Sequence, residues 1–209
     1  MSGEHPSASG WQRRDFIGGE ALLALAVGVP VAAIRLSDLD ADEAPSERQR
    51  ALLREVSQLV IPRTNTPGAG DVGAGDFVLL ALAHGLERSR EPWAGEGQST
   101  FRRTDGSLRM ADWLEHELNR RVGGDFLSRD AAVRSATLAG LDAEAFAERA
   151  KASPWKVIKG LVLTGYYTSE AGGSRELRYE LVPGHYDAKV PLKPGDAAFS
   201  SDWAAVDFG

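Results

Sequence analysis

The stretch "TPGAGDVGAGDF" (residues 66–77) has a glycine spacing that could hold the pyrophosphate of a dinucleotide. Gly68, Gly70 and Gly73 match the pattern G-x-G-x-x-G, in which glycines let the backbone approach the phosphates at the start of a helix. That chemistry also requires a strand that ends at the first glycine. Here the preceding residues place apolar side chains at helical spacing, and Pro62 ends the run. The sequence therefore predicts a connection between two helices, in which the glycines supply positive φ, rather than a nucleotide site.

The histidines are the other residues that could carry chemistry. The chain has four histidines and no cysteine, which excludes thiolate metal sites, disulfides and covalent haem attachment within it. No two histidines have the H-x-x-x-H spacing of a metal site, and no G-x-S-x-G elbow is present. We therefore assign no catalytic, cofactor-binding or metal-binding residue to this chain.

Composition argues for one acidic globular domain. The 209 residues carry a net charge of −6, and the basic residues alternate with acidic ones along predicted helix surfaces. Neither property suits a nucleic acid or an anionic lipid surface as partner.

Apolar side chains at helical spacing predict an all-α fold, a small irregular bundle of about five or six helices over residues 34–173. Proline, glycine and capping residues set the expected limits. The predicted helices begin at the Ser46–Gln49 capping box, at Asp76 as N-cap, at Ser107, at Ser128 (through Leu138), at Asp142 and at Ser153, and the last of them ends at Gly172 and Gly173.

Residues 174–209 form a different kind of segment, which we call the arm. It contains three prolines, no sustained helical pattern and five aromatic residues: Tyr179, Tyr186, Phe199, Trp203 and Phe208. Disordered tails are poor in aromatic residues, whereas contact surfaces between proteins are rich in them. The arm is therefore expected to pack on a partner, on its own bundle, or in part on each.

The N-terminus resembles a twin-arginine export signal. Arg13 and Arg14 are followed by Phe16 and an uncharged run over 21–34, which is too short for a comfortable membrane span. Small residues predict cleavage after Ala33, so residues 1–33 are assigned to the signal and the mature chain to the periplasm. The other interpretation is an amphipathic or buried N-terminal helix. Because twin-arginine cargo crosses the membrane folded, a cofactor is expected in this chain or in a protein exported with it.

Two segments carry a family resemblance: "ALLREVSQLVIPRTNTPGAGDVGAGDFV" and "GYYTSEAGGSRELRYELVPGHYDAKVPL". They resemble the gluconate 2-dehydrogenase subunit 3 family, the small subunits of bacterial membrane-linked sugar and polyol dehydrogenases. The resemblance implies a non-catalytic chain. FAD and catalysis would belong to a large subunit of the glucose–methanol–choline type, exported with this chain's signal. A cytochrome c subunit or another electron acceptor would complete some complexes.

The resemblance also implies where partner contacts would lie. The candidates are the end of the last helix and the arm: Tyr166, Tyr167, Glu170, Tyr179, His185, Tyr186, Phe199, Trp203 and Phe208. Two alternatives remain open. The chain could be a stand-alone periplasmic enzyme or ligand-binding domain that uses His185, Tyr186 and Asp187. Alternatively, Tyr167 or His185 could line the edge of the large subunit's substrate pocket.

Overall fold

The computed structural model describes residues 36, 39, 43–95, 98–148, 150–179, 189, 191 and 193–200. This part of the chain contains five α-helices: α1 (Glu47–Val60), α2 (Ala74–His84), α3 (Met110–Val122), α4 (Ala131–Ala145) and α5 (Pro154–Tyr167). A sixth, π-helical segment spans Ala171–Glu176, and short 3-10 turns lie at Leu86–Arg88 and Ser99–Phe101. The predicted all-α bundle is confirmed. Within the same residues, no helix combines the length and the apolar character needed to cross a bilayer.

Apart from an isolated antiparallel bridge between Arg102 and Leu108, the arm contributes the only strand pairing among the described residues. Strand β1 (Arg178–Tyr179) pairs in parallel with β2 (Phe199–Ser200), with Arg178 opposite Phe199. Each strand has two residues, so the pairing fixes the start of the arm to a later part of it without forming a sheet of its own.

Capping residues explain where two of the helices begin. The Ser46 hydroxyl accepts from the Gln49 amide at 3.1 Å, and the Gln49 side chain accepts from the Ser46 amide at 2.9 Å. This confirms the predicted capping box. The start of α5 is confirmed in the same way, because the Ser153 hydroxyl accepts from the Trp155 amide and Pro154 occupies the first helical position.

Helix α4 corrects the prediction of two separate helices between 128 and 153. Asp130, rather than Ser128, caps a single helix by accepting from the Val133 amide at 2.9 Å. The Ser128 hydroxyl instead donates to the carbonyl oxygen of Asp125 in the preceding turn. The helix continues through Asp142 because buried side chains recur at helical spacing on both sides of it, at Leu138, Leu141 and Ala145.

Other helix limits also differ from the prediction. Helix α2 begins at Ala74 with Gly73 as N-cap, so Asp76 lies in the first turn, where its carboxylate binds Arg50 at 2.9 Å. The same helix ends at His84, because Gly85 takes a left-handed conformation with φ of 83°. Helix α3 begins at Met110, three residues after the predicted start at Ser107. Helix α5 ends at Tyr167, and the Gly172–Gly173 pair belongs to the π-helical segment.

Helix α2 lies at the centre of the core. Eight of its 11 residues are buried, as expected for a helix that is apolar on all sides. It packs chiefly against α1 and α5. The contact with α5 is close at Gly165, where an added Cβ would lie 2.7 Å from the Phe77 ring. The absence of a side chain at position 165 therefore sets the distance between α2 and α5.

Two glycines of α5 are expected to respond in opposite directions to the same substitution. Gly165→Ala should lower the free energy of unfolding by about 1–3 kcal/mol, since the core must shift to admit the methyl group. Gly160→Ala should raise it by up to about 1 kcal/mol, because a Cβ there meets open space and alanine favours the helix. Urea titration of both variants measures the difference. Equal effects at the two positions would contradict the close approach at Gly165.

Glu43, in the segment before α1, forms ion pairs with the connection between α2 and α3. Its carboxylate binds Arg103 at 2.8 Å and Arg90 at 2.7 Å, and Arg103 also donates to the carbonyl oxygen of Leu108. Nearby in sequence, Leu36 is buried in the core. Burial raises the pKa of Glu43, but the hydrogen bonds from the two arginines outweigh burial and hold that pKa below its ordinary value.

The Glu43 contacts are expected to make stability depend on pH at the acidic end. Because the pKa is lowered on folding, the stabilisation is fully present above the unfolded value of about 4.3 and is lost as pH falls through the folded value. Glu43→Gln should therefore have a lower free energy of unfolding than the wild type at pH 7. This difference in free energy of unfolding should become smaller below about pH 4. Urea titrations across this range test it, with the exposed Glu47→Gln as control. A gap that stays constant with pH would contradict the assignment.

Candidate partner-binding surface

The glycine loop is a tightly packed connection between α1 and α2, as predicted. A Cβ at Gly68 would lie 2.8 Å from the Arg63 amide nitrogen, and one at Gly70 would lie 2.6 Å from the Arg54 carbonyl oxygen. Of the three glycines in the motif, Gly73 alone has positive φ, at 81°. The expectation that all of them supply positive φ is therefore wrong. Gly68 and Gly70 are required because the loop lies directly against α1.

Asp71 stabilises this loop through contacts with other residues of the loop. Its carboxylate binds the Arg63 guanidinium at 2.7 Å and accepts from the Gly68 amide at 2.9 Å. The Arg63 hydrogen bond, followed by that of Gly68, holds the pKa of Asp71 below its ordinary value. The Asp71 carboxylate thus accepts hydrogen bonds from a backbone amide and from an arginine of the same loop. Over the part of the chain that the structure describes, no group of three or more side chains is placed to hold a metal ion.

Tyr166 joins this loop to the end of α5 and to the π-helical segment. Its side chain is 1% exposed, and its hydroxyl lies 3.2 Å from the carbonyl oxygen of Pro67 and 3.4 Å from the Glu176 carboxylate. Thr66 also hydrogen-bonds to Glu176. Burial raises the pKa of Tyr166, so the phenol stays neutral and can donate. The glycine loop, about a hundred residues earlier in the chain, therefore meets the end of α5 and the π-helical segment at the point where the arm begins.

The residues between α5 and the arm form a turn with its own hydrogen bonds. The buried Ser169 hydroxyl donates to the Tyr166 carbonyl at 2.6 Å and accepts from the Gly172 amide at 3.2 Å. A side chain at Gly172 would collide with the same Tyr166 carbonyl. π-helical turns are rare and frequently occur at functional sites. Most of the motif "YYTSEAGG" therefore serves to end α5 and direct the arm.

The structure separates the predicted contact residues into distinct groups. Tyr166 is held inside the chain, whereas Tyr167 is 41% exposed and meets the Tyr166 ring edge-to-face at 5.2 Å. Glu170 is exposed and binds Arg175 at 2.6 Å. The backbones of Tyr179 and Phe199 take part in the β1–β2 pairing. The remaining predicted residues lie outside the described part of the chain: Arg13, Arg14, Phe16, His185, Tyr186, Asp187, Trp203 and Phe208.

Sequence reasoning missed an exposed apolar face on α5. Leu163 is 38% exposed and lies one helical turn before Tyr167. Phe146, at the end of α4, is 54% exposed, with the ammonium groups of Lys156 and Lys159 at 5.4 and 4.8 Å from its ring centroid. We call Phe146, Lys156, Gly160, Leu163 and Tyr167 the α5 surface. The spacing of its four α5 members, at i, i+4, i+7 and i+11, was the available signal.

Beside the α5 surface, a cavity of about 180 Å³ lies between α1, α4 and α5. Its lining combines apolar side chains, among them Leu59, Leu138 and Trp155, with polar ones. Asp142 crosses one side, where it accepts from the Trp155 indole at 2.7 Å and from Lys159 at 2.7 Å. Burial raises the pKa of Asp142, and the Lys159 and Trp155 hydrogen bonds outweigh it, leaving the pKa below its ordinary value. These polar groups satisfy one another, so the arrangement stabilises the packing of α4 on α5.

The fold and these surfaces describe a small helical protein with features suited to contact with other proteins: an aromatic-containing arm that leaves from a fixed junction, and an exposed helix face. The gluconate 2-dehydrogenase subunit 3 family matches residues 47–184, more than half of the chain. The protein belongs to this family, which confirms the resemblance and places it among the subunits of dehydrogenase complexes. No curated protein and no solved structure matches the chain.

Proposed function

We propose that this chain is the non-catalytic small subunit of a periplasmic FAD-dependent sugar dehydrogenase of the glucoside or gluconate type. The observation that carries the proposal is the family match over residues 47–184. It covers all five α-helices together with the junction at Tyr166 from which the arm leaves. In this proposal the chain supports folding and assembly of the catalytic subunit and its export by the twin-arginine route.

The catalytic partner is proposed to be a large flavoprotein of the glucose–methanol–choline type. It would bind FAD and oxidise the sugar, and a cytochrome c subunit or another acceptor would take the electrons. The arm is the proposed contact with this partner, since it begins at the junction of the glycine loop, α5 and the π-helical segment. A fixed starting point reduces the conformational entropy lost when an extended segment binds.

A tagged pull-down from the native periplasm tests the proposal. The expected eluate contains this chain and a much larger polypeptide, and its absorption spectrum shows bound flavin. Sugar-dependent reduction of an added electron acceptor should follow the same fractions. Elution of a colourless, solitary protein would overturn the proposed function, and ligands for the lone domain would then be sought.

Replacing Arg13 and Arg14 with lysine is expected to leave both subunits in the cytoplasm. The substitution keeps the charge but removes the arginine pair that defines the export route. Dehydrogenase activity in periplasmic and cytoplasmic fractions measures the outcome, with Gln12→Ala as a control that leaves the pair intact. Unchanged periplasmic activity in the lysine variant would show that the catalytic subunit does not depend on this signal.

A further inference from the structure

The α5 surface is complementary to itself. We propose that it joins two copies of this chain through an antiparallel pairing of their α5 helices, about a two-fold axis that passes near Leu163. Such a contact is isologous. Each copy presents the same patch, and if one residue contacts a second residue of the other copy, the second residue of the first copy contacts the first residue of the other. This inference is separate from the proposed contact between the arm and a dehydrogenase. Together, the two contacts would link two heterodimers.

The first argument is steric. In an antiparallel pair centred on Leu163, position 160 of one copy lies within about 1.5 Å, along the helix axis, of the level of position 167 of the other copy. Gly160 holds the first of these positions, and a Cβ there would meet nothing within 4 Å. Tyr167 holds the second and is 41% exposed. In the proposed dimer, the exposed Tyr167 ring of each copy therefore lies over Gly160 of the other copy, where no side chain occupies the surface.

The second argument is electrostatic. Lys156 lies seven residues before Leu163, about 10 Å along the helix, and Glu170 lies seven residues after Leu163 in sequence, three residues beyond the end of α5. Helix α5 ends at Tyr167, and the turn that follows keeps Glu170, which also binds Arg175, close to this end of the helix. Both side chains belong to exposed residues. The antiparallel arrangement brings Lys156 of each copy next to Glu170 of the other, whereas a parallel arrangement would place like charges together.

The size of the patch determines how strong the contact should be. Helix α5 has 14 residues, or roughly 21 Å of length, and Phe146 widens the apolar area at the Lys156 end. A helix pair of this length buries less than the roughly 1,200 Å² of a standard stable interface. The association is therefore expected to depend on protein concentration.

A cysteine on the two-fold axis provides a direct test, because the chain contains no cysteine of its own. Leu163→Cys, in the full chain as isolated from cells, should form a symmetric disulfide under a mild oxidant and double the apparent mass of this polypeptide to that of a dimer. Val133→Cys is the matched control, since Val133 is 40% exposed and Leu163 is 38% exposed. Failure of Leu163→Cys to cross-link above the control would overturn the proposal.

Charge exchange separates self-association from binding of the dehydrogenase. Lys156→Glu alone should weaken the dimer by light scattering, and combining it with Glu170→Lys should restore it, as only a self-complementary contact requires. If these variants instead lose the large subunit while self-association is unaffected, the α5 surface is a contact with the dehydrogenase and the dimer proposal is wrong. A wild-type chain that dimerises without any large subunit would uphold this inference while the proposed function fails.

Discussion

Trp155→Ala is expected to lower the free energy of unfolding by about 3–5 kcal/mol, the range for removing a large aromatic side chain from a core. Trp155 is 1% exposed and is among the largest fully buried side chains. Truncation would enlarge the cavity between α1, α4 and α5. It would also leave Asp142 without its indole donor, so that Lys159 alone offsets the partial burial of that carboxylate.

Trp155→Phe is the control that separates the two contributions. Phenylalanine retains most of the buried ring but cannot donate to Asp142. The free energy of unfolding is therefore expected to fall by about 1 kcal/mol, the lower end of the roughly 1–3 kcal/mol cost of leaving a buried polar group unpaired. Urea titration followed by far-UV circular dichroism measures both variants. A loss below about 1 kcal/mol for the alanine variant would mean that α4 and α5 are not held together at this residue.

Removing residues 180–209 is expected to abolish stable co-purification of the large dehydrogenase subunit. The deletion takes away most of the arm, including Phe199 and the three aromatic residues Tyr186, Trp203 and Phe208. It leaves Glu176 in place, and with it the contacts to Thr66 and Tyr166 that complete the helical domain. The domain itself should therefore remain folded. A pull-down with equal amounts of tagged wild-type and truncated chain measures the effect.

A shorter deletion shows which part of the arm is needed. Removing residues 201–209 alone retains β2 and its pairing with β1, while Trp203 and Phe208 are lost. An intermediate loss of the large subunit would divide the contact between the two parts of the arm. Normal co-purification with the longer deletion, in a chain whose circular dichroism is unchanged, would exclude the arm as the main contact.

The helices could be predicted because their signals are local. The Ser46–Gln49 capping box and the Ser153–Pro154 start act within a few residues, so sequence alone located them. The start of α2 was misplaced because Asp76 is equally consistent with a cap and with a first-turn acid. Its ion pair with Arg50, 26 residues earlier, decides between them. A contact of that range leaves no mark in the local pattern.

The candidate surfaces were only partly predictable for the same reason. Tyr166 and Tyr167 are adjacent and chemically identical, and both were predicted to contact a partner. Packing alone places the first against Pro67 and Glu176 and leaves the second exposed. The exposed face formed by Leu163 and Phe146 was not predicted at all, because it requires knowing which side of α5 faces α2 and where α4 ends.

By itself, the sequence determined the helical class of this protein, its family and the absence of thiol chemistry, because these depend on residue types and on spacing along one chain. It also predicted that the glycine loop connects two helices rather than following a strand, which the structure confirms. The tertiary structure decided why Gly68 and Gly70 are glycines, which tyrosine is exposed, and where the arm begins. Each of those outcomes depends on the distance between segments far apart in the chain, which is set only when the helices pack.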